Sequence, residues 1–171
     1  QAEEVQKALA GKPVEFALQK VQMGTGHAVQ QAMPHLQDSR GAILILYGDV
    51  PLLKSETLQD LIRHHGETSA AVTLLTTHLP SPAGYGRIVR SHSGNILKIV
   101  EEKDAAEQEK ANREINTGIY CFDAEFLRSS IASLTNRNVQ HEYYLTDLIE
   151  IAQYEHKRVS SLTCPDPDEV M

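Results

Sequence analysis

The chain has 171 residues, and 16 Lys and Arg against 23 Asp and Glu leave it at −7. That balance excludes a general DNA- or RNA-binding surface, although a mononucleotide held by backbone N–H groups and a metal ion stays compatible with it. A 41% hydrophobic and 23% charged composition predicts one globular domain, with no apolar run near the ~18 residues of a membrane span.

In chain order, Ala2–Ala10 predicts a helix with Val5 and Leu9 on one side, stopped by Gly11-Lys12-Pro13. Val14–Leu18 predicts a short strand. Gly24-Thr25-Gly26 breaks the chain, and Ala28, Ala32 and Leu36 then recur at helical spacing over His27–Leu36. Ala42–Tyr47 is unbroken apolar, the pattern of a strand covered on both faces. Ser55 is a candidate cap for a helix that buries Leu58, Leu61 and Ile62. Ala70–Thr77 is a β-branched strand. This alternation predicts an α/β fold with a mostly parallel sheet flanked by helices.

After Gly84 the pattern changes. Arg87–Ser91 and Ile96–Glu102 predict a hairpin around Ser93-Gly94-Asn95. Asp104–Arg113 is charged and helix-prone, and Asn116–Phe122 is β-rich. Asp123–Leu134 and Leu145–His156 read as helices, Arg158–Thr163 as a last strand, and Pro165–Asp168 as a loop. Two lobes within one domain follow, 1–83 and 84–171.

Ligands of doubly wound sheets bind beyond the carboxyl ends of the strands, which singles out Tyr47-Gly48-Asp49. Asp49 is either a Mg²⁺ ligand or a turn residue before Val50-Pro51. Gln19 and Gly24-Thr25-Gly26-His27 offer donors to a base or phosphate, or form a plain turn with a helix cap. Gly84-Tyr85-Gly86-Arg87 reads as a tight turn. Glu101 could accept from sugar hydroxyls or be a solvated edge carboxylate. Asn116-Thr117 needs polar partners inside an apolar strand, internal or from a ligand. Thr146 could simply cap a helix. His64-His65 reads as solvated. No catalytic dyad, nucleophile elbow or metal-clustered histidine spacing occurs. Cys121 and Cys164 fit neither a disulfide framework nor a zinc motif. The opening Gln-Ala-Glu-Glu lacks a signal peptide's features, so the cytoplasm is expected.

These segments together resemble the nucleotidyltransferases that make nucleotide-sugars from a sugar 1-phosphate and a nucleoside triphosphate. The match is closest to uridyltransferase domains of bacterial bifunctional enzymes making UDP-N-acetylglucosamine. It covers nearly the whole chain, in family order: Leu18-Gln19, Gly24–Ala28, Leu46–Leu52, Gly84–Ile88, Ile99–Ala105, Glu114–Gly118 and Glu142–Asp147. The resemblance implies a Rossmann-like nucleotide-diphospho-sugar transferase fold with a smaller sugar-binding β lobe. Residues 1–83 would be the nucleotide-binding half and residues 84–171 the sugar-binding half.

By the same resemblance, Gln19, Gly24 and Thr25 would meet the uracil and ribose side. Asp49 would bind Mg²⁺, with Tyr47 and Gly48 beside it. Gly86, Glu101 and Asn116 would contact N-acetylglucosamine, and Tyr144 and Thr146 would close on its acetamido side. The implied reaction is attack by a phosphate oxygen of N-acetylglucosamine 1-phosphate on the α-phosphorus of UTP, with pyrophosphate leaving. The nucleophile is already anionic, so no catalytic base is expected.

The family's first strand and Gly-rich signature loop, with its lysine, would precede Gln1. A second metal ligand, an asparagine, would follow Met171. A hexapeptide-repeat acetyltransferase domain that makes the family trimeric would lie further on. The chain is thus expected to be an internal fragment, inactive and prone to associate by itself. Other sugar-1-phosphate nucleotidyltransferases, or a non-catalytic nucleotide-sugar-binding module, are the alternatives.

Overall fold

The computed structural model describes residues 2–171. Six strands form one sheet: β1 (Ala42–Ile45), β2 (Val72–His78), β3 (Arg87–Arg90), β4 (Ile96–Val100), β5 (Glu114–Asp123) and β6 (Val159–Thr163). Their order is β4-β3-β5-β2-β6, with β1 beside the distal half of β5. Among the described residues six α-helices accompany them: α1 (Ala2–Ala8), α2 (Thr25–Ala32), α3 (Ser55–Thr68), α4 (Glu107–Lys110), α5 (Ala124–Ser130) and α6 (Leu148–Tyr154).

The sheet is mixed, where the apolar runs predict a mostly parallel one. β2 and β6 pair in parallel, whereas β5 runs antiparallel to β1, β2 and β3. β1, β2 and β6 do share one direction, as their alternation with helices implies. The long β5 runs the opposite way between β1 and β2. Hydrophobic periodicity reports burial and not direction, so β5 was invisible as a reversed strand.

Period-2 alternation splits β2 and β5 between two cores. Val72, Leu74, Tyr120 and Phe122 face one side with Phe126 and Leu127 of α5 and Leu148, Ile149 and Ala152 of α6. Leu75, Ile119 and Cys121 face the other side with Leu61 of α3, Cys164 and Val170. Helices therefore cover both faces. Both cysteines are free and buried.

Several expected elements shift. Residues 14–18 are exposed and irregular, not a strand; their apolar side chains, Phe16 and Leu18 among them, meet no sheet neighbour. Helix α1 buries none of its residues, so Val5 and Leu9 do not form a core face. β1 is an edge strand paired with β5 alone among the described residues. Ala42 is exposed and the rest of β1 half-buried, so it is not covered on both faces. The N-cap of α3 is Lys54, not Ser55, and Ile62 is largely exposed. His65 is buried, its Nδ1 2.9 Å from Thr73 Oγ1, and His64 Nε2 lies 2.8 Å from Ser160 Oγ. The charged 104–113 stretch yields a single helical turn, α4, and Pro167–Val170 is a 3₁₀ turn. The hairpin at Ser93-Gly94-Asn95 is as expected, closed by Ser91 N–H donating to Asn95 O at 2.8 Å.

Candidate functional site

The predicted site residues collect along one end of the sheet. Gln19 Nε2 donates to Gly24 O at 3.1 Å and lies 2.9 Å from His27 Nδ1, folding the 19–24 loop onto the start of α2. Gly24 sits at φ 99°, and a Cβ there would lie 2.6 Å from Tyr143 O. Thr25 Oγ1 accepts from Leu145 N at 3.0 Å. The next residue, Thr146, donates through Oγ1 to Glu101 Oε1 at 3.1 Å. Thr146 is therefore a carboxylate partner and not the cap of α6, whose N-cap is Asp147.

Glu101 faces Gly86 and Asn116. A Cβ on Gly86 would stand 3.3 Å from Glu101 Oε2 and 3.6 Å from Asn116 Cβ, so glycine leaves that floor open. Asn116 is tied internally at both ends: Nδ2 donates to Tyr120 Oη at 2.7 Å, and Oδ1 accepts from Gly118 N at 3.1 Å. One amide hydrogen of Asn116 stays available to a ligand. Tyr144 Oη donates to Asp104 Oδ2 at 3.1 Å and accepts from Gln140 Nε2 at 2.9 Å. Asp104 also accepts from Val139 N at 3.0 Å, clasping the 135–144 loop onto the end of β4.

Tyr47 extends β1 over this floor. Its ring lies on Gly118 (φ 79°), where β5 bulges opposite β2 between Leu74 and Thr76. Gly48 and Asp49 follow in an exposed turn. Beside them a cleft of about 680 Å³ runs along β1 and α2, lined by Gln19, Gly24, Thr25, Ile45, Tyr47 and Leu145 among others.

Neighbouring carboxylates and burial set the titration of the recess. Burial raises Glu101 above the ordinary carboxylate range, reinforced by Asp104 and Glu142 and opposed by the Thr146 hydrogen bond. Burial, with Glu101 and Asp49, pushes the Tyr47 phenol to about 12. Burial likewise lifts Tyr120 well above its ordinary value and Tyr144 to about 12. These phenols stay neutral donors. Burial also pushes Asp147 to about 6, helped by Glu150, Glu101 and Asp104. None of the predicted site residues is cationic.

Asp147 yields a pH-dependent expectation. Its folded pKa is raised, so the folded state holds a proton that the unfolded state releases; stability falls as pH rises from about 4 to about 6. Asp147→Asn removes that cost. It is expected to stabilise the chain by about 1–2 kcal/mol at pH 7.5 after discounting for solvent, and by less at pH 5. Urea unfolding at the two pH values measures the difference.

Asp49 forms no hydrogen bond or ion pair among the described residues, and no three His, Cys, Asp or Glu there are arranged to hold a metal. One exposed carboxylate fits a hard cation that takes its other ligands from water and phosphate oxygens. It does not fit an all-protein cage.

Sequence reasoning missed Gly118, Tyr120, Asp104 and Asp147. A glycine inside an apolar strand is a recognised sign of a bulge and could have drawn attention to Gly118. The others depend on contacts between distant segments.

A helix-flanked mixed sheet with a cleft at one end of its strands has the Rossmann-like architecture of nucleotide-sugar transferases. The chain belongs to the nucleotidyl transferase family, whose pattern matches residues 2–166. It is 51% identical over its full length to the bifunctional protein GlmU of Trichlorobacter lovleyi. Identity to the same-named protein of Brevibacillus brevis is 50% over 96% of the chain, and to that of Geobacter metallireducens 48% over its full length. The chain spans only 36–37% of the length of these three relatives. Among the described residues no helix is long and apolar enough to cross a membrane.

Proposed function

We propose that the protein containing this chain transfers a uridylyl group from UTP to N-acetylglucosamine 1-phosphate, giving UDP-N-acetylglucosamine and pyrophosphate. The observation that carries this reading is the convergence of Gly86, Glu101, Asn116 and Thr146 into one polar recess. A carboxylate and amide around a glycine floor suit a ring bearing several hydroxyls. Residues 84–171 are then the sugar-binding half, with Tyr144 and Thr146 on the acetamido side. Residues 1–83 are the nucleotide-binding half, with Gln19, Gly24 and Thr25 toward uracil and ribose.

Asp49 is the residue that would hold Mg²⁺, with Tyr47 and Gly48 beside it. Bound there, the ion supplies charge neutralisation on the phosphates, which the acidic recess cannot. The chain's own residues bind and orient. Tyr47 and Tyr144 stay protonated, Glu101 accepts from sugar hydroxyls, and no side chain has to take a proton from the anionic nucleophile. The cytoplasm, a role in peptidoglycan and lipopolysaccharide precursor synthesis, and trimerisation through a further domain belong to the same proposal.

The test uses the whole protein with UTP, Mg²⁺ and N-acetylglucosamine 1-phosphate. Pyrophosphate release is expected, with dTTP and GTP poor substitutes; release with either but not UTP moves the assignment to another nucleotide-sugar. The 171-residue chain is expected to bind UDP-N-acetylglucosamine in calorimetry without turnover, because none of the predicted site residues is a cation that could meet the triphosphate.

A further inference from the structure

A second polar cleft lies away from this site. It has a volume of about 500 Å³ and sits between α3, the β3–β4 hairpin turn, and the α6–β6 connection. The hairpin turn is at the far end of β3 from Gly86, four strand residues or about 13 Å away. No Asp or Glu lines the cleft, although the chain is acidic overall.

Its donors and acceptors do not balance. Arg90 uses four of its five N–H donors. Nε and Nη2 donate to the buried Glu114 at 2.8 and 2.6 Å, Nη1 donates to Gly94 O at 2.9 Å, and Nη2 also reaches Ser161 Oγ at 2.9 Å. Arginine cannot accept a hydrogen bond, so Ser161 Oγ is the acceptor in that pair. The Ser161 hydroxyl hydrogen is left to donate, and it meets no acceptor among the described residues. The same cleft is lined by Lys157 and Arg158, whose side chains make no ion pair or hydrogen bond among the described residues. Both residues also border a neighbouring cleft holding Asp123, Glu125 and Glu155, none of which pairs with them.

Arg90 and Ser161 are thus held in place by a buried carboxylate, while one hydroxyl and two cations remain unspent. A ligand that only accepts, carries negative charge and is small enough for this space satisfies all three. Charge-assisted bonds from guanidinium and ammonium to a phosphate oxygen are the strong members of that class. We propose that this cleft is a binding site for a phosphate-type oxyanion, separate from the nucleotidyl transfer site.

The experiment is a ¹⁵N-HSQC titration of the chain with sodium phosphate, pyrophosphate or phenyl phosphate, each matched for ionic strength with sodium chloride. Saturable shifts centred on the amides of Arg158, Ser160 and Ser161 are expected. Lys157→Gln/Arg158→Gln, at two exposed positions, is expected to weaken the affinity at least about tenfold, the worth of one charge-assisted bond. Ser161→Ala, which keeps the Arg90–Glu114 pair, is expected to weaken it several-fold. Saturable binding of any of the three anions supports the proposal, and their affinity ratio separates free from esterified phosphate. Shifts equal to those in chloride alone, shifts confined to Glu101, Asn116 and Thr146, or unchanged affinity in the double variant overturn it. These readouts do not depend on turnover, so failure of the transferase reading leaves them intact.

Discussion

Gly118→Ala is expected to cost about 3 kcal/mol of stability, from left-handed backbone strain together with overpacking. The position lies at φ 79°, where a Cβ is unfavourable for any L-residue. It also lies under Tyr47: a Cβ there would sit 2.6 Å from Cζ and 2.5 Å from Cδ2, with Cε2 closer still. The Tyr47 ring is 40% exposed and can swing outward, but to clear a Cβ it must give up its contact with the bulge. Urea unfolding is expected to show a lower midpoint at unchanged slope. In a Tyr47→Ala background the same substitution is expected to cost only the backbone part, about 1–2 kcal/mol. Equal costs in both backgrounds would show that Tyr47 and Gly118 are not coupled. Displacing Tyr47 also moves a predicted site residue, so ligand affinity should fall with stability.

That coupling marks where the sequence stops being readable. Tyr47-Gly48-Asp49 was legible because an unbroken apolar run ending in Gly-Asp has a physical meaning at the end of a strand. The partner across the site, Gly118, lies 71 positions on, and its contact exists only because β5 runs backward beside β1. Nothing in the periodicity of residues 114–123 states that direction. Thr146 and Glu101 show the same limit. Each had a local reading, as helix cap and as solvated carboxylate. Their mutual hydrogen bond overrides both, because the 145–147 turn is pulled to the end of β4. His65 reads as solvated in the sequence yet is buried, because a helix face is polar or apolar only relative to what packs on it, and Thr73 supplies a partner from β2. Val14–Leu18 failed for the opposite reason: β-prone residues make a strand only where a neighbour offers an unpaired edge. The family resemblance rested on the order of short segments, which survives all these local errors.

Glu101→Ala is expected to weaken UDP-N-acetylglucosamine binding about 100-fold, and Glu101→Gln about tenfold, in calorimetry near pH 7.5. A carboxylate accepting from sugar hydroxyls makes charge-assisted bonds worth about 1.5–3 kcal/mol, and truncation leaves the hydroxyls and Thr146 unpartnered as well. The amide keeps the shape and one acceptor, so its loss is smaller. The pH dependence gives an independent check. Burial raises the Glu101 pKa, so falling pH neutralises it earlier than an ordinary glutamate. Wild-type affinity should therefore begin to decline at a pH above the usual carboxylate range. Glu101→Gln has nothing to titrate at that position, and its affinity should be flatter over the same interval. A variant that keeps the full wild-type slope would assign the titration to Asp147, whose carboxyl is pushed to about 6 in the same acidic cluster. Asp147→Asn separates the two: it should leave the Glu101-dependent decline in place while raising stability. On the proposed reading, sugar recognition and the stability cost of the cluster rest on neighbouring carboxylates with distinct roles, Glu101 toward the ligand and Asp147 as a burden on the fold.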